Sequence, residues 1–343
     1  MMRTLIVSIL TVLICNSAGL CAVAPDPLRI AAGARCLGMG RAHVSLSGDI
    51  NLIYTNPAGI STLDNWQLTS MSARLLNEYD YLNLAGVFPT ERFGNFGMSF
   101  STVGVGGAFP TKIAEGSDPS DLVYEWDPAK SPINYSNILI LLSYGSKLAA
   151  PLSLPPLSGF GQRFPWLNDV SYGANLKFYN VGMTGGGLSD ASGHGFELDL
   201  GLQSRTGLDW LSVGLSLQNV LPASLGGKMV YDYNNWEETF PVLVKPGIAV
   251  NLLGEQDAIR SFRGQKLKLL LDADLEPTRP QVPSLLKLGL EWNPIELLAI
   301  RAGIDQAMIS NQVASNLTAG VGVNVRGIRF DYAYHEFAGA PGV

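Results

Sequence analysis

The chain has 343 residues, of which 47% are apolar and only 15% charged, with a formal net charge of −6. That length fills one large domain or two smaller ones, and so low a charge content is unusual for a soluble protein. No Lys/Arg-rich cluster is present to neutralise a phosphate backbone, so the composition argues for no nucleic acid partner.

Residues 1–24 read as an export signal peptide. Arg3 supplies a positive start, Leu5 to Cys15 an apolar stretch, and Ala22-Val23-Ala24 a small-x-small cleavage site before Pro25. The apolar stretch is shorter than the ~20 residues a membrane-spanning helix needs, so cleavage is expected rather than anchoring. Leu20 stands directly before Cys21, where a lipoprotein needs a small residue. Cleavage leaves Cys36 as the one thiol of the mature chain, with no internal disulfide possible. Its neighbours Arg35 and Leu37 offer no base, and a structural cysteine is expected.

Residues 25–65 carry a glycine-dense stretch, "GARCLGMGRAHVSLSGDINLIYTNPAGI", from Gly33 to Ile60. Gly33 and Gly38 have the separation of a phosphate-binding P-loop, but Met39-Gly40 stands where lysine and Ser/Thr must be. Gly38-Met39-Gly40 begins a dinucleotide fingerprint, yet no third glycine follows and no strand precedes. Phosphate binding is therefore excluded. The glycines suit tight turns and close backbone packing, as a segment confined inside a barrel would need. Asp49 and Asn51 are placed to hydrogen-bond local backbone or cap a short helix, and Asn56-Pro57-Ala58-Gly59 favours a turn.

From residue 66 onward the apolar pattern has period two. In Lys266 to Glu276, Leu267, Leu269, Leu271, Ala273 and Leu275 fall on one face; Lys266, Lys268, Leu270, Asp272, Asp274 and Glu276 fall on the other. In Phe196 to Arg205, Phe196, Leu198, Leu200 and Leu202 oppose Glu197, Asp199, Gly201, Gln203 and Arg205. Near the end, Ile328, Phe330, Tyr332 and Tyr334 oppose Arg329, Asp331 and His335. The spacing predicts thirteen strands, near 66–74, 79–88, 94–105, 136–147, 170–180, 194–205, 208–219, 242–253, 264–276, 283–292, 295–304, 315–326 and 327–336.

A soluble sandwich also alternates. Three features favour a transmembrane antiparallel β-barrel: apolar faces four or five residues long in segments near the ~9–11 residues of a tilted spanning strand, polar faces that mix charges of both signs with glycine as a lumen does, and the export signal. The connections sort by parity, short after even strands and long at Gly106 to Tyr135, Val181 to Gly193, Val220 to Pro241 and Asp305 to Ala314. Long loops face outward in such barrels, so odd strands run outward. Leu75 to Glu78 and Lys147 to Asp169 depart from that rule. Single-chain bacterial barrels close with an even strand number, so a fourteenth strand is expected to be missing from this sequence.

Lys266, Lys268, Asp272, Asp274, Glu276, Arg329 and Asp331 are read as lumen charges that satisfy one another, with His335 beside Asp331 and Arg329. Three histidines, at 43, 194 and 335, sit on separate segments without metal-ligand spacing, and no Gly-x-Ser-x-Gly is present. No enzyme activity, metal or cofactor is expected.

The stretch Gly33 to Ile60 resembles the N-terminal signature of the PorV/PorQ family of outer-membrane proteins, and its Asn56-Pro57-Ala58-Gly59 is similar to that of the broader FadL-type long-chain fatty acid transporters. "VGLSLQNV" at 213–220, "LKLGLEW" at 286–292 and "LTAGVGVNVRGIRFDYAY" at 317–334 extend the resemblance. It implies an all-β, fourteen-stranded barrel in the cell outer membrane, residues 66–343, with the N-terminal segment as a plug in its lumen. Arg41 and His43 depart from the family's small or apolar residues there, and the family's final strand is absent. The expected role is secretion or cell-surface assembly, with the lipid bilayer and secretion-system proteins or secreted cargo as partners. The alternative is a passive transporter of a hydrophobic ligand such as a long-chain fatty acid.

Overall fold

The structure, a computed structural model, describes residues 26–29, 33–75, 79–90, 92–115, 121–149, 163, 167, 169–189, 191–205, 208–255, 257–309 and 312–336. The expected export signal lies outside these residues. So do most of the Lys147 to Asp169 connection and residues 337–343.

Among the described residues there are eighteen strands: β1 (Gln67–Leu75), β2 (Tyr79–Thr90), β3 (Gly94–Ala108), β4 (Thr111–Ile113), β5 (Tyr124–Trp126), β6 (Ile133–Lys147), β7 (Val170–Thr184), β8 (Ser192–Arg205), β9 (Leu211–Gln218), β10 (Lys228–Tyr231), β11 (Glu237–Glu238), β12 (Leu243–Gly254), β13 (Arg260–Ser261), β14 (Lys266–Asp274), β15 (Leu285–Ile295), β16 (Leu298–Ile309), β17 (Gln312–Val325) and β18 (Ile328–His335). Thirteen of them form one antiparallel path, β1-β2-β3-β6-β7-β8-β9-β12-β14-β15-β16-β17-β18, in which each neighbour in space is the next long strand in sequence. These are the thirteen that the alternation predicts. The five others are short pieces within connections: β4 pairs with β5, β10 extends the sheet beside β8 and pairs with β11, and β13 runs beside the end of β12.

The alternation sorts outward from inward side chains in the inverse of a soluble protein. On β7, Asn175 and Lys177 are 0% exposed whereas Leu176 and Phe178 are 37% and 41% exposed. On β8, Glu197, Asp199 and Gln203 are buried while Leu200 and Leu202 face out. Leu271 on β14 and Leu288 on β15 lie opposite each other in the ladder, both outward, while Asp272 and Lys287 beside them are buried. An outward face this apolar is unstable in water and is the surface a bilayer requires.

Among the described residues β1 and β18 form no ladder with each other. The two ends of the sheet nevertheless share one apolar cluster, in which Leu37 of the N-terminal segment joins Tyr81 and Val103, with Met71, Ala73 and Tyr79 from the first strands and Ala333 from the last packed against it.

One expected loop is corrected. Asp305 to Ala314 is mostly ladder, with β16 and β17 paired out to Ile309 and Gln312, because Gln306, Ala307 and Met308 continue the alternation past the apolar run. The end of the sheet carrying the 296–297 and 326–327 connections is called the turn end below, and the opposite end the loop end.

Candidate functional site

The N-terminal segment folds from local capping. Gly33, at φ 97, opens a short helix α1 (Ala34–Gly38); a side chain there is strained, and its Cβ would also lie 2.6 Å from the Asn51 Oδ1. Asp49 caps a 3-10 turn, Ile50–Tyr54, by accepting from the Asn51 amide at 2.8 Å. Asn56 caps a second, Pro57–Thr62, by accepting from the Ala58 amide, with Pro57 at the first position where a missing N–H costs nothing. Gly59 packs where a Cβ would lie 2.5 Å from Leu52 Cδ1. The cap read for Asp49 is thus one the structure uses; Asn51 donates to Asp49 instead of capping, and at Asn56, read only as a turn, the structure adds a second cap.

This segment lies against the inner face of the sheet, across nearly its whole width. Eight glycines on eight strands meet it: Gly145, Gly173, Gly201, Gly214, Gly247, Gly289, Gly303 and Gly320. At Gly173 a Cβ would lie 2.4 Å from the Pro57 carbonyl carbon, and at Gly303 2.3 Å from the Gly40 nitrogen. In the same way Gly38 packs on Gly320. These glycines stand side by side in the ladder, Gly145 opposite Gly173 and Gly173 opposite Gly201. Their absent side chains make the room in which an irregular segment fits.

A buried segment with little regular structure must find partners for its backbone polar groups. Inward side chains of the wall supply them. Asn95 Nδ2 donates to the carbonyls of Ile60 and Leu63 at 2.7 and 2.8 Å, Asn175 Nδ2 to Ile53 at 2.8 Å, and Gln203 Nε2 to Ser45 and Leu46 at 2.9 and 2.7 Å. Asp272 accepts from the amides of His43 and Val44. Asn56 Nδ2 donates to Val44 within the segment and to Leu202 on β8.

A closed ring of alternating charges fixes the segment's start. Arg35 pairs with Asp49 at 2.6 Å and with Glu291 at 2.5 Å; Glu291 pairs with Arg301 at 2.7 Å; Arg301 with Asp331 at 2.7 Å; Asp331 with Arg329 at 2.8 Å; and Arg329 returns to Asp49 at 3.1 Å. Three guanidiniums and three carboxylates make it neutral. Burial alone would raise the Asp49 carboxyl, but Arg35 and Arg329 hold it well below the usual carboxylate range. Burial opposes the Arg35 charge, and Glu291 and Asp49 more than restore it. In the neighbouring groups burial outweighs the surrounding charges: His43 is lowered to about 4, and the Cys36 thiol is raised to about 12. A thiol held that high is not a nucleophile.

The expected lumen charges divide into three groups. Arg329 and Asp331 belong to the ring. Asp274 sits between Lys287 at 2.5 Å and Lys245 at 3.7 Å, beside Asp272. Glu276 lies just past the end of β14 and, with its side chain 9% exposed, pairs with Arg279 at 3.2 Å in the following turn. His335 is corrected. It points inward, but its Nε2 lies 3.0 Å from Asp305, which also binds Arg41, rather than beside Asp331 and Arg329. Lys266 is exposed at the start of β14, and Lys268 is half-buried one step further in.

Lys266 and Lys268 open onto a cavity of about 360 Å³ at the turn end. Arg35, Glu291, Arg301 and Arg329 of the ring line it, with Asn293, Asn324 and Glu296, and Ile295, Leu297 and Ala299 give it an apolar side. Toward the loop end an aromatic and apolar cluster adjoins a buried ion pair, Lys177 with Asp199 at 2.8 Å, whose ammonium lies 5.8 Å from the Tyr179 ring centroid. Tyr179 stacks on Phe240 with centroids 4.4 Å apart, in one cluster with Val181 and Met229, against which Leu28, Tyr135 and Tyr231 pack.

Neither the ring's Arg35, Glu291 and Arg301 nor the wall amides were visible as a site in the sequence. The signal was there in part, as a glycine at inward parity in successive strands.

No protein-family model and no curated protein matches the chain. Among solved structures it is similar to the toluene transporter TodX of P. putida, with a TM-score of 0.51 at 13% identity over 88% of this chain and 91% of that one. A TodX deltaS2S3 mutant, a monoaromatic hydrocarbon channel, gives 0.54 at 12% identity over 88% and 92%. At such identities the likeness is one of fold. The chain has an all-β, mostly antiparallel fold like that of these FadL-like transport barrels, and the PorV/PorQ reading finds no support among them.

Proposed function

We propose that the protein is an outer-membrane β-barrel through which small hydrophobic molecules pass without energy input, entering at the aromatic loop end and passing the N-terminal segment. The observation that carries this reading is the inverted burial of the sheet, apolar outside and polar within, wrapped on a segment held by side chains rather than by regular structure. The fold shared with hydrocarbon channels supports the same class of cargo. The apolar cluster around Tyr179 and Phe240 gives such a molecule a first resting place.

The test uses cells of a bacterium with an intact outer membrane and an apolar dye that fluoresces only after reaching inner lipid. Cells carrying the protein should fill faster than cells without it, and Phe240→Lys, which places a charge inside the apolar cluster, should slow the entry. Equal rates with and without the protein would remove the reading.

A second reading, handling of secreted proteins at the outer loops, rests on the β4–β5 hairpin. Phe109 and Trp126 pack edge to face there at 5.8 Å, and both stay largely exposed with Tyr124. Deleting that hairpin should abolish partner crosslinking under this reading and leave dye entry unchanged under the first.

A further inference from the structure

The ion ring accounts for all the charge of Arg35, Arg301 and Arg329, since three carboxylates face three guanidiniums. Lys266 and Lys268 are left over at the turn-end cavity. Neither ammonium makes an ion pair or hydrogen bond among the described residues, and Glu296 is the remaining carboxylate of the lining. The cavity therefore carries surplus positive charge, in a recess whose low-dielectric walls concentrate its field. Its size is within the range of small-molecule sites. Its lining is two-sided, with Asn293, Asn324 and the lysines on one part and Ile295, Leu297 and Ala299 on the other.

We infer that this cavity is a binding site for a small organic anion, with its carboxylate on Lys268 and Lys266 and its hydrocarbon part against Ile295 and Leu297. An ammonium half out of water with no partner is a cost to the fold that an arriving carboxylate relieves. The apolar side distinguishes an organic anion from an inorganic one, which would gain nothing there. The neutral ring behind the lysines keeps Arg35 and Arg329 engaged with protein carboxylates, so the lysines make the contact. The site goes beyond passage of hydrophobic molecules and does not rest on it, since binding at the turn end needs no route through the segment.

Calorimetry on the purified full chain in detergent tests this, with benzoate as probe and toluene and inorganic phosphate as its neutral and inorganic counterparts. Benzoate should bind saturably. Lys268→Met should weaken it at least tenfold, Lys266→Met severalfold, and Lys268→Arg less than threefold, each variant first shown to keep the heat-dependent gel mobility of the parent. Toluene should not displace benzoate. Undiminished benzoate binding by Lys268→Met, or its displacement by an equal concentration of phosphate, would overturn the inference. Because dye entry is read separately, failure here leaves the passage reading standing, and the converse holds.

Discussion

Arg35 and Glu291, 256 positions apart, meet in a two-pronged ion pair, with Nε 2.7 Å from Oε2 and Nη2 2.5 Å from Oε1. The pair joins the first helix of the N-terminal segment to β15, deep in the second half of the chain. Side-chain exposure is 10% and 4%, so neither group keeps water as a substitute partner. Segment and sheet are therefore mutually dependent.

Removing one member should show this. Glu291→Gln leaves Arg35 and Arg301 short of a carboxylate, and breaking a buried pair costs about 3–5 kcal/mol. The thermal midpoint of the folded gel band should fall markedly, and the segment should become open to protease before the sheet unfolds. Arg74 and Asp80 form a comparable pair in water, 68% and 75% exposed. Asp80→Asn should cost about 0–1 kcal/mol.

The glycines of the wall predict a sharp positional contrast. At Gly173 a Cβ meets segment backbone, which cannot rotate away, whereas at Gly104 the nearest atom is 3.4 Å distant. Gly173→Ala should lose about 1–3 kcal/mol or fail to assemble. Gly104→Ala should match the parent in yield and thermal midpoint.

Acid should weaken the fold through His43. Its folded pKa is lowered to about 4 by burial, below the ~6.5 of an unfolded histidine, so between these values the unfolded chain binds the extra proton. Stability from this group is full above pH ~6.5 and falls as the pH drops toward 4, by up to about 3 kcal/mol. Asp49, with its pKa depressed, adds a further loss only below the usual carboxylate range. Thermal melts at pH 7.5 and 4.5 measure the difference, and His43→Gln should flatten it.

The outward face should reject charge. Leu288 is 42% exposed and central on β15; an arginine near a bilayer midplane costs about 2–4 kcal/mol. Leu288→Arg should reduce the fraction of chain recovered folded in the membrane. Lys112→Glu, on the loop hairpin, should leave that fraction unchanged.

All thirteen strands of the path could be read from period-two alternation, because a sheet with an apolar outward face and an inward face packed on protein leaves every residue with one choice of face. The cap at Asp49 and the turn at Asn56-Pro57 were equally readable, being interactions over two residues. The site was not. Arg35 finds Glu291 only after nine intervening strands of the path have paired, and nothing near either residue records the other. His335 shows the same limit: its inward direction follows from parity, but its partner Asp305 is set by the register of β16 through β18. Glu276 finds its partner Arg279 in the turn after β14, which alternation does not reveal.

The central claim, that this sheet turns an apolar face outward and a polar face onto its own N-terminal segment, is tested most directly by spin labels in reconstituted vesicles. Labels at Leu271→Cys and Leu288→Cys, in a Cys36→Ala background, are compared with one at Asn137→Cys, which is buried on the inner face. The expected result is high collision with oxygen and little with a water-soluble nickel complex at the two outward sites, and low collision with both at the inward one. Equal access of nickel to Leu271 and Leu288 would contradict the claim.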